Sequence, residues 1–138
     1  LAHEGLIVGI KEASGSMDQI MDLFMLVGKS IAVMAGDDSM VLAIMAAGGR
    51  GVISTTANIV PEIFKRITKA ALDNRWDEAR KAQFEALPVV RAMFLESNPV
   101  PVKAALEMKK LIRWSSLRLP LLPASEETRR RIAEVLGL

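Results

Sequence analysis

Apolar positions in the first half of the chain come as short continuous runs alternating with stretches of helical period. Residues 6–11 form a β-rich run, and residues 16–27 place Met17, Ile20, Met21 and Phe24 on one helical face. Ser16 and Gln19 stand at capping-box spacing where that helix begins, and Gly28 suits its stop. The unit then repeats. A strand over 31–35 leads to Asp38, read as a helix cap, and to a helix through Val41, Leu42 and Met45 that ends at Gly48 and Gly49. A third strand over 51–54 is followed by Pro61, suited to a first helical position, and a helix through Ile63, Phe64 and Ile67 to about residue 73.

Beyond Arg75 the strand signal disappears. Trp76, Ala79, Phe84, Leu87 and Val90 predict an amphipathic helix, with Asp77 and Lys81 spaced for an i, i+4 pair and Pro88 kinking or dividing it. Residues 98–101 read as an extended break, because each proline restricts the residue before it, and 102–111 resume helical character. An irregular apolar connector over 119–123 precedes Ser125, a cap for a last helix with Glu126 and Glu127 near its positive end. Repeated strand–helix units imply right-handed crossovers and a parallel sheet, so the class is α/β. Three strands leave two unpaired edges, and a β/α barrel takes about 250 residues and eight strands, so the chain is expected to be part of something larger.

Composition narrows the chemistry. With 138 residues, 51% hydrophobic and 25% charged, the chain holds one globular domain at most. Cysteine is absent, which excludes disulfides, thiolate metal sites and cysteine nucleophiles. Eighteen basic residues face 16 acidic ones, too balanced for a nucleic-acid footprint. The longest apolar run, residues 40–49, falls short of the ~18 residues that span a bilayer. The start lacks both Met and a basic region, so no signal peptide is expected and a processed or excised start is. His3, the single histidine, has no partners at ligand spacing, and no metal is implied. Lys109-Lys110 and Arg129-Arg130-Arg131 read as solvated faces, and the eight methionines mostly as core filler.

Alternation along residues 6–11 puts Lys11 on one face with Ile7 and Gly9, while Leu6, Val8 and Ile10 face the other way. A lysine ending a buried strand either leaves it for solvent or sits in an apolar pocket. In a pocket, lost hydration disfavours its charged form and leaves more neutral amine to attack a carbonyl. Gly9 behind it leaves room for a small substrate. Gly36-Asp37-Asp38 and Ser54-Thr55-Thr56 follow the second and third strands, at the ends where barrel enzymes place their sites. Read singly, Asp38 is a helix cap, Asp37 is ambiguous, and the hydroxyls satisfy loop backbone. Gly48-Gly49-Arg50-Gly51 precedes a strand instead of joining a strand to a helix, which excludes a phosphate loop or dinucleotide fingerprint.

These residues together resemble the C-terminal half of the dihydrodipicolinate synthase and N-acetylneuraminate lyase family of Schiff-base enzymes, over essentially the whole chain. Gly9-Ile10-Lys11-Glu12-Ala13-Ser14-Gly15 looks like the segment bearing the imine lysine. Gly36-Asp37-Asp38 and Gly48-Gly49-Arg50-Gly51-Val52-Ile53-Ser54 match the seventh and eighth strand regions in order and spacing. Asn98-Pro99-Val100-Pro101-Val102-Lys103 and Leu117-Arg118-Leu119-Pro120 look like the synthase branch. The resemblance implies a (β/α)8 barrel, with residues 1–73 its last three βα units and 74–138 a helical segment packed on it. It implies condensation of pyruvate with aspartate semialdehyde to 4-hydroxy-tetrahydrodipicolinate for diaminopimelate and lysine, in the cytoplasm, in a homotetramer, with no metal or organic cofactor.

In that resemblance Lys11 forms the imine, while Gly36 and the main-chain carbonyl of Ile53 border the pyruvate. Five strands of the family's barrel have no counterpart in this sequence. With them go a threonine pair that helps bind pyruvate, tyrosines that relay protons, an arginine for the semialdehyde carboxylate, and the lysine feedback site. The chain has no tyrosine, so it holds no substitute relay. Two alternatives stand beside the synthase: a sialic-acid or 2-keto-3-deoxy-sugar-acid lyase using the same lysine, and a non-catalytic half-barrel that self-associates through its open edges.

Overall fold

Strands β1 (Gly9–Glu12), β2 (Ala32–Ala35) and β3 (Gly51–Val52) pair in parallel, side by side in chain order. A computed structural model describes residues 1–138. Helices α1 (Met17–Val27) and α2 (Val41–Ala46) make the two crossovers, and a 3-10 turn at Thr56–Asn58 leads into α3 (Pro61–Leu72). Three further helices, α4 (Trp76–Met93), α5 (Val100–Met108) and α6 (Glu126–Leu136), complete the chain. No helix is long and apolar enough to cross a membrane.

Register sorts the side chains. Ile10 pairs with Val33, and Glu12 with Ala35 and through it Val52, so these share one face; Lys11, Met34 and Gly51 share the other. The first face is covered. Ala35 is buried with Ile20 of α1, Val41 and Ile44 of α2, and Phe64 and Ile67 of α3. The same cluster takes in Ala79, Ala82 and Ala86 of α4, whose small side chains let that helix lie close against α3. A second cluster joins Val89 and Met93 of α4 to Val102 and Ala105 of α5 and Ile132 of α6. Helix α4 thus links the sheet's core to the C-terminal helices.

The strands are shorter than the apolar runs. In the run at 6–11 the register begins at Gly9, with the Val8 carbonyl accepting the Ala32 N–H at 3.0 Å, and the side chains of Leu6 and Val8 are exposed, Val8 at 88%. Likewise β3 ends at Val52, although the Ile53 N–H still reaches the Ala35 carbonyl at 2.8 Å. Ser16 caps α1 as expected, its hydroxyl accepting the Gln19 N–H, and Pro61 opens α3. Gly28 ends α1 in right-handed geometry, and a Cβ there would come within 2.7 Å of the Phe24 carbonyl oxygen, so it is space that asks for glycine.

Several expectations need correction. Asp38 does not cap α2: the cap position is Met40, with no side-chain bond, and Asp38 is buried instead. Pro88 does not divide α4, which runs unbroken for 18 residues. The missing bond would be to the Phe84 carbonyl, and Phe84 is 61% exposed, so water can reach that turn while the opposite face stays packed. Asp77 pairs with Arg80, not Lys81. Helix α5 starts at Val100, because a proline at 101 lacks only an N–H that the first turn leaves free anyway. Met45 and Met93 are core, but Met17, Met21 and Met25 form an i, i+4 row exposed along α1, where this chain supplies no cover. Within the basic runs, Lys109 donates to the Ile59 carbonyl at 3.3 Å and half-buried Arg129 pairs with Glu107 at 3.4 Å.

Ser125 caps α6 by accepting the Thr128 N–H at 3.2 Å, and Gly137 closes it in the left-handed region. Glu107 of α5 ties the connector down. Its two oxygens accept the Ser115 hydroxyl at 2.8 Å and the Ser115 N–H at 3.0 Å, which, with Arg129, hold its carboxyl below the usual range.

Replacing Ile67, fully buried, with Ala is expected to cost about 2–5 kcal/mol in urea denaturation. Phe84→Ala, on the exposed face, is expected to change stability by about 0.5 kcal/mol at most. Because the Glu107 carboxyl is favoured in its charged form by folding, its contribution is present above the ordinary value of 4.5 and is lost as pH falls through the lower folded value. The melting temperature of the chain is therefore expected to exceed that of Glu107→Gln at neutral pH, with the gap closing in acid.

Candidate active site

Lys11, Gly36 and Ile53 stand at the C-terminal ends of the three adjacent strands. The last bonds between the strands lie here: the Gly36 N–H donates to the Glu12 carbonyl at 2.6 Å and the Ile53 N–H to the Ala35 carbonyl at 2.8 Å. The Ile53 carbonyl follows just past the end of β3. It accepts no backbone hydrogen bond. An acceptor is left unpaired at the end of β3.

Gly36 holds its place by closeness. A Cβ built there would meet the Glu12 carbonyl oxygen at 2.6 Å and both the Ala13 Cβ and the Lys11 Cε at 2.8 Å. The Lys11 side chain therefore lies along the Gly36 backbone, and the structure brings these two sequence-chosen positions into contact. Gly9 was expected to leave room for substrate, but a Cβ on it would come within 3.0 Å of the Ala32 carbonyl oxygen, so its space is taken by β2. Gly36 also borders a hollow of about 390 Å³ between Ala13, Asp37 and Ser39 on one side and, on the other, Arg91 of α4 and Phe94 just beyond it.

The amine itself is not enclosed. Lys11 is exposed, because its face of the sheet carries only Ala32, Met34 and Gly51 from the neighbouring strands and no further layer. The apolar pocket expected around this lysine is not built by these residues alone. In a closed barrel the interior is filled from all the strands, and three strands supply too few side chains to exclude water.

The polar residues around the strand ends divide into local and long-range roles. Asp37 accepts the Ser39 N–H and hydroxyl at 2.9 and 2.8 Å, and the Ser54 hydroxyl accepts the Ala57 N–H at 2.8 Å, so both satisfy loop backbone. Asp38 reaches across the sheet to the Thr56 N–H at 2.7 Å. Two residues escaped sequence reasoning. Glu12, buried beside Lys11 in sequence, accepts the Ser14 N–H at 2.8 Å and starts a chain of bonds through Ser14 to Ser16 that steers the chain into α1. Gln83, buried in α4, donates to the Asp38 carbonyl at 3.0 Å. Its signal was a polar residue inside the alanine-rich stripe of α4. His3 is exposed at the far end of the chain.

Residues 1–137 match the model of the dihydrodipicolinate synthetase family. The chain is 44% identical over 137 residues to the 4-hydroxy-tetrahydrodipicolinate synthase of Methanosarcina barkeri, a match covering 99% of this chain and 47% of that one. It superposes on the crystal structure of dihydrodipicolinate synthase from Thermotoga maritima with a TM-score of 0.92 and 35% identity, over 99% of this chain and 47% of the other. For the chloride-inhibited enzyme of Acinetobacter baumannii, crystallised with pyruvate, the TM-score is 0.89 at 34% identity, over 95% and 45%. The chain thus spans about half the length of the relatives it matches.

Gly36→Ala is expected to force the β1 and β2 ends and the Lys11 side chain apart, at a cost of about 1–3 kcal/mol in urea denaturation. An unchanged midpoint would show that the contact is looser than the geometry states.

Proposed function

The chain belongs to the dihydrodipicolinate synthetase family, and on that footing we propose that it is the lysine-bearing portion of a pyruvate-condensing lyase of the 4-hydroxy-tetrahydrodipicolinate synthase type. The single observation that carries this is the contact of Lys11 with Gly36 at adjacent strand ends. In this reading residues 1–73 are the last three βα units of the barrel and 74–138 pack on it as helices, and the completed barrel works in the cytoplasm, in diaminopimelate and lysine synthesis.

The chemistry follows from the amine. The neutral Nζ of Lys11 adds to the C2 carbonyl of pyruvate, and loss of water leaves a protonated imine. That nitrogen withdraws electrons, so a C3 proton leaves readily and an enamine forms. The enamine carbon attacks the aldehyde of aspartate semialdehyde, the new alkoxide takes up a proton, and the substrate's own amine then displaces Lys11 as the ring closes. The Ile53 carbonyl supplies a fixed dipole at the cleft, and Gly36, with no side chain, lets the keto acid lie against backbone. The chain has no tyrosine to relay protons. A positioned base or acid is worth about 10²- to 10⁴-fold, so Lys11 without the rest of the barrel forms the imine slowly and turns over poorly. The finding that the Acinetobacter baumannii relative was crystallised with pyruvate supports the keto acid; the aldehyde rests on the names of the relatives.

A second reading has its own observation. Both sheet edges are open and the methionine row on α1 is bare, which favours self-association, in a homotetramer as the resemblance implies or as a non-catalytic half-barrel.

Joined to the remaining half of the Methanosarcina barkeri relative, the chain is expected to be trapped by borohydride with pyruvate at Lys11, and Lys11→Arg to abolish the adduct in peptide mass spectrometry. An adduct on another lysine, or none, would remove the proposal. Product formation with aspartate semialdehyde but not with sugar aldehydes separates the synthase from the sugar-acid lyases.

A further inference from the structure

Backbone pairing between β2 and β3 stops at the bond from Ile53 to Ala35, so Gly36 and Ile53 sit where the sheet no longer fixes the distance between its strands. What joins the two loops beyond that point is a side chain. Asp38, two residues after Gly36, is fully buried and accepts the Thr56 N–H, three residues after Ile53, at 2.7 Å through Oδ2. From the other side Gln83 of α4 donates Nε2 to the Asp38 carbonyl at 3.0 Å. Thr56 heads the 3-10 turn whose Ala57 N–H is held by Ser54, so the bridge grips a loop that is itself braced.

Burying a carboxylate is expensive in hydration, and this one is only partly compensated. Asp38 Oδ1, Thr56 Oγ1 and Gln83 Oε1 are all buried without a hydrogen-bond partner in the chain. An apolar residue at 38 would satisfy packing more simply. The polar bridge therefore does something that packing does not, and its two ends are the loops that carry Gly36 and Ile53.

We propose that Asp38 is a positioning residue for the keto-acid cleft: its bond to Thr56, pinned by Gln83, sets the separation between the Gly36 backbone and the Ile53 carbonyl, and so the space in which substrate meets Lys11. This rests on the assignment of Lys11, Gly36 and Ile53 made above. Asp38 touches neither Lys11 nor substrate. It acts through the backbone of two loops, where a displacement of about 1 Å is enough to cost roughly 10²-fold in rate.

The test uses the completed barrel described above, with Asp38→Ala, Asp38→Asn and Gln83→Met. Asparagine keeps an oxygen for the Thr56 N–H, and methionine keeps the length of Gln83 without its donor. Asp38→Ala is expected to raise KM for pyruvate about tenfold or more and to slow borohydride trapping in step, with kcat at saturating pyruvate falling less. Asp38→Asn is expected to stay within about threefold of the parent and Gln83→Met to fall between. A folded Asp38→Ala with unchanged KM would overturn the proposal, as would asparagine being as harmful as alanine. Should Asp38→Ala not fold, Gln83→Met decides: an unchanged KM there overturns it, a raised one supports it. Failure of the underlying assignment looks different, since the parent protein itself then gives no Lys11 adduct.

Discussion

The burial of Val33 and Ala35 of β2 beneath the helices is the constraint on which everything else depends. In a strand the side-chain period is two, so once those residues are committed to the helix side, Met34 and its register partners Lys11 and Gly51 have to point the other way. A slip of one residue along β1 would turn Lys11 toward the helices and Glu12 to the open face. The apolar contacts of Ile20, Val41, Ile44, Phe64 and Ile67 therefore aim the lysine as well as stabilise the fold.

The same constraint explains why the candidate site gathers at the strand ends. Ladder bonds hold the backbones at fixed spacing up to Glu12, Ala35 and Ile53, and there the chain turns into loops. Freed of the ladder, the Ile53 carbonyl accepts no backbone bond, and the Gly36 backbone comes so close to Lys11 and Ala13 that no side chain fits between. Order in this region passes from the main chain to a few buried side chains. Glu12 turns the chain toward α1, and Asp38 with Gln83 ties the β2 and β3 loops to α4.

What the half-length match leaves exposed follows equally directly. The face that carries Lys11 has no second layer, the two sheet edges have no neighbours, and Val8 and Met25 are bare at 88% and 85%. The relatives this chain matches are about twice as long. Within these residues the amine stays open to solvent, whereas its direction and its contact with Gly36 are already set.

The amino-acid sequence determined the α/β class, the three βα units, the caps at Ser16, Pro61 and Ser125, and the candidate positions Lys11, Gly36 and Ile53, because each depends on short spacings that act locally or on a motif read as a string. Strand limits were less legible: the runs at 6–11 and 51–54 carry apolar character past the point where a partner strand exists, and pairing, not propensity, ends a strand. The division expected at Pro88 and the exposure of Phe84 turned on which face of α4 meets α3, a matter of packing between distant segments. Asp38 shows the difference most clearly. Its position before a helix spells a cap, yet its partners lie 18 and 45 residues away, at Thr56 and Gln83, and only the folded chain brings them together.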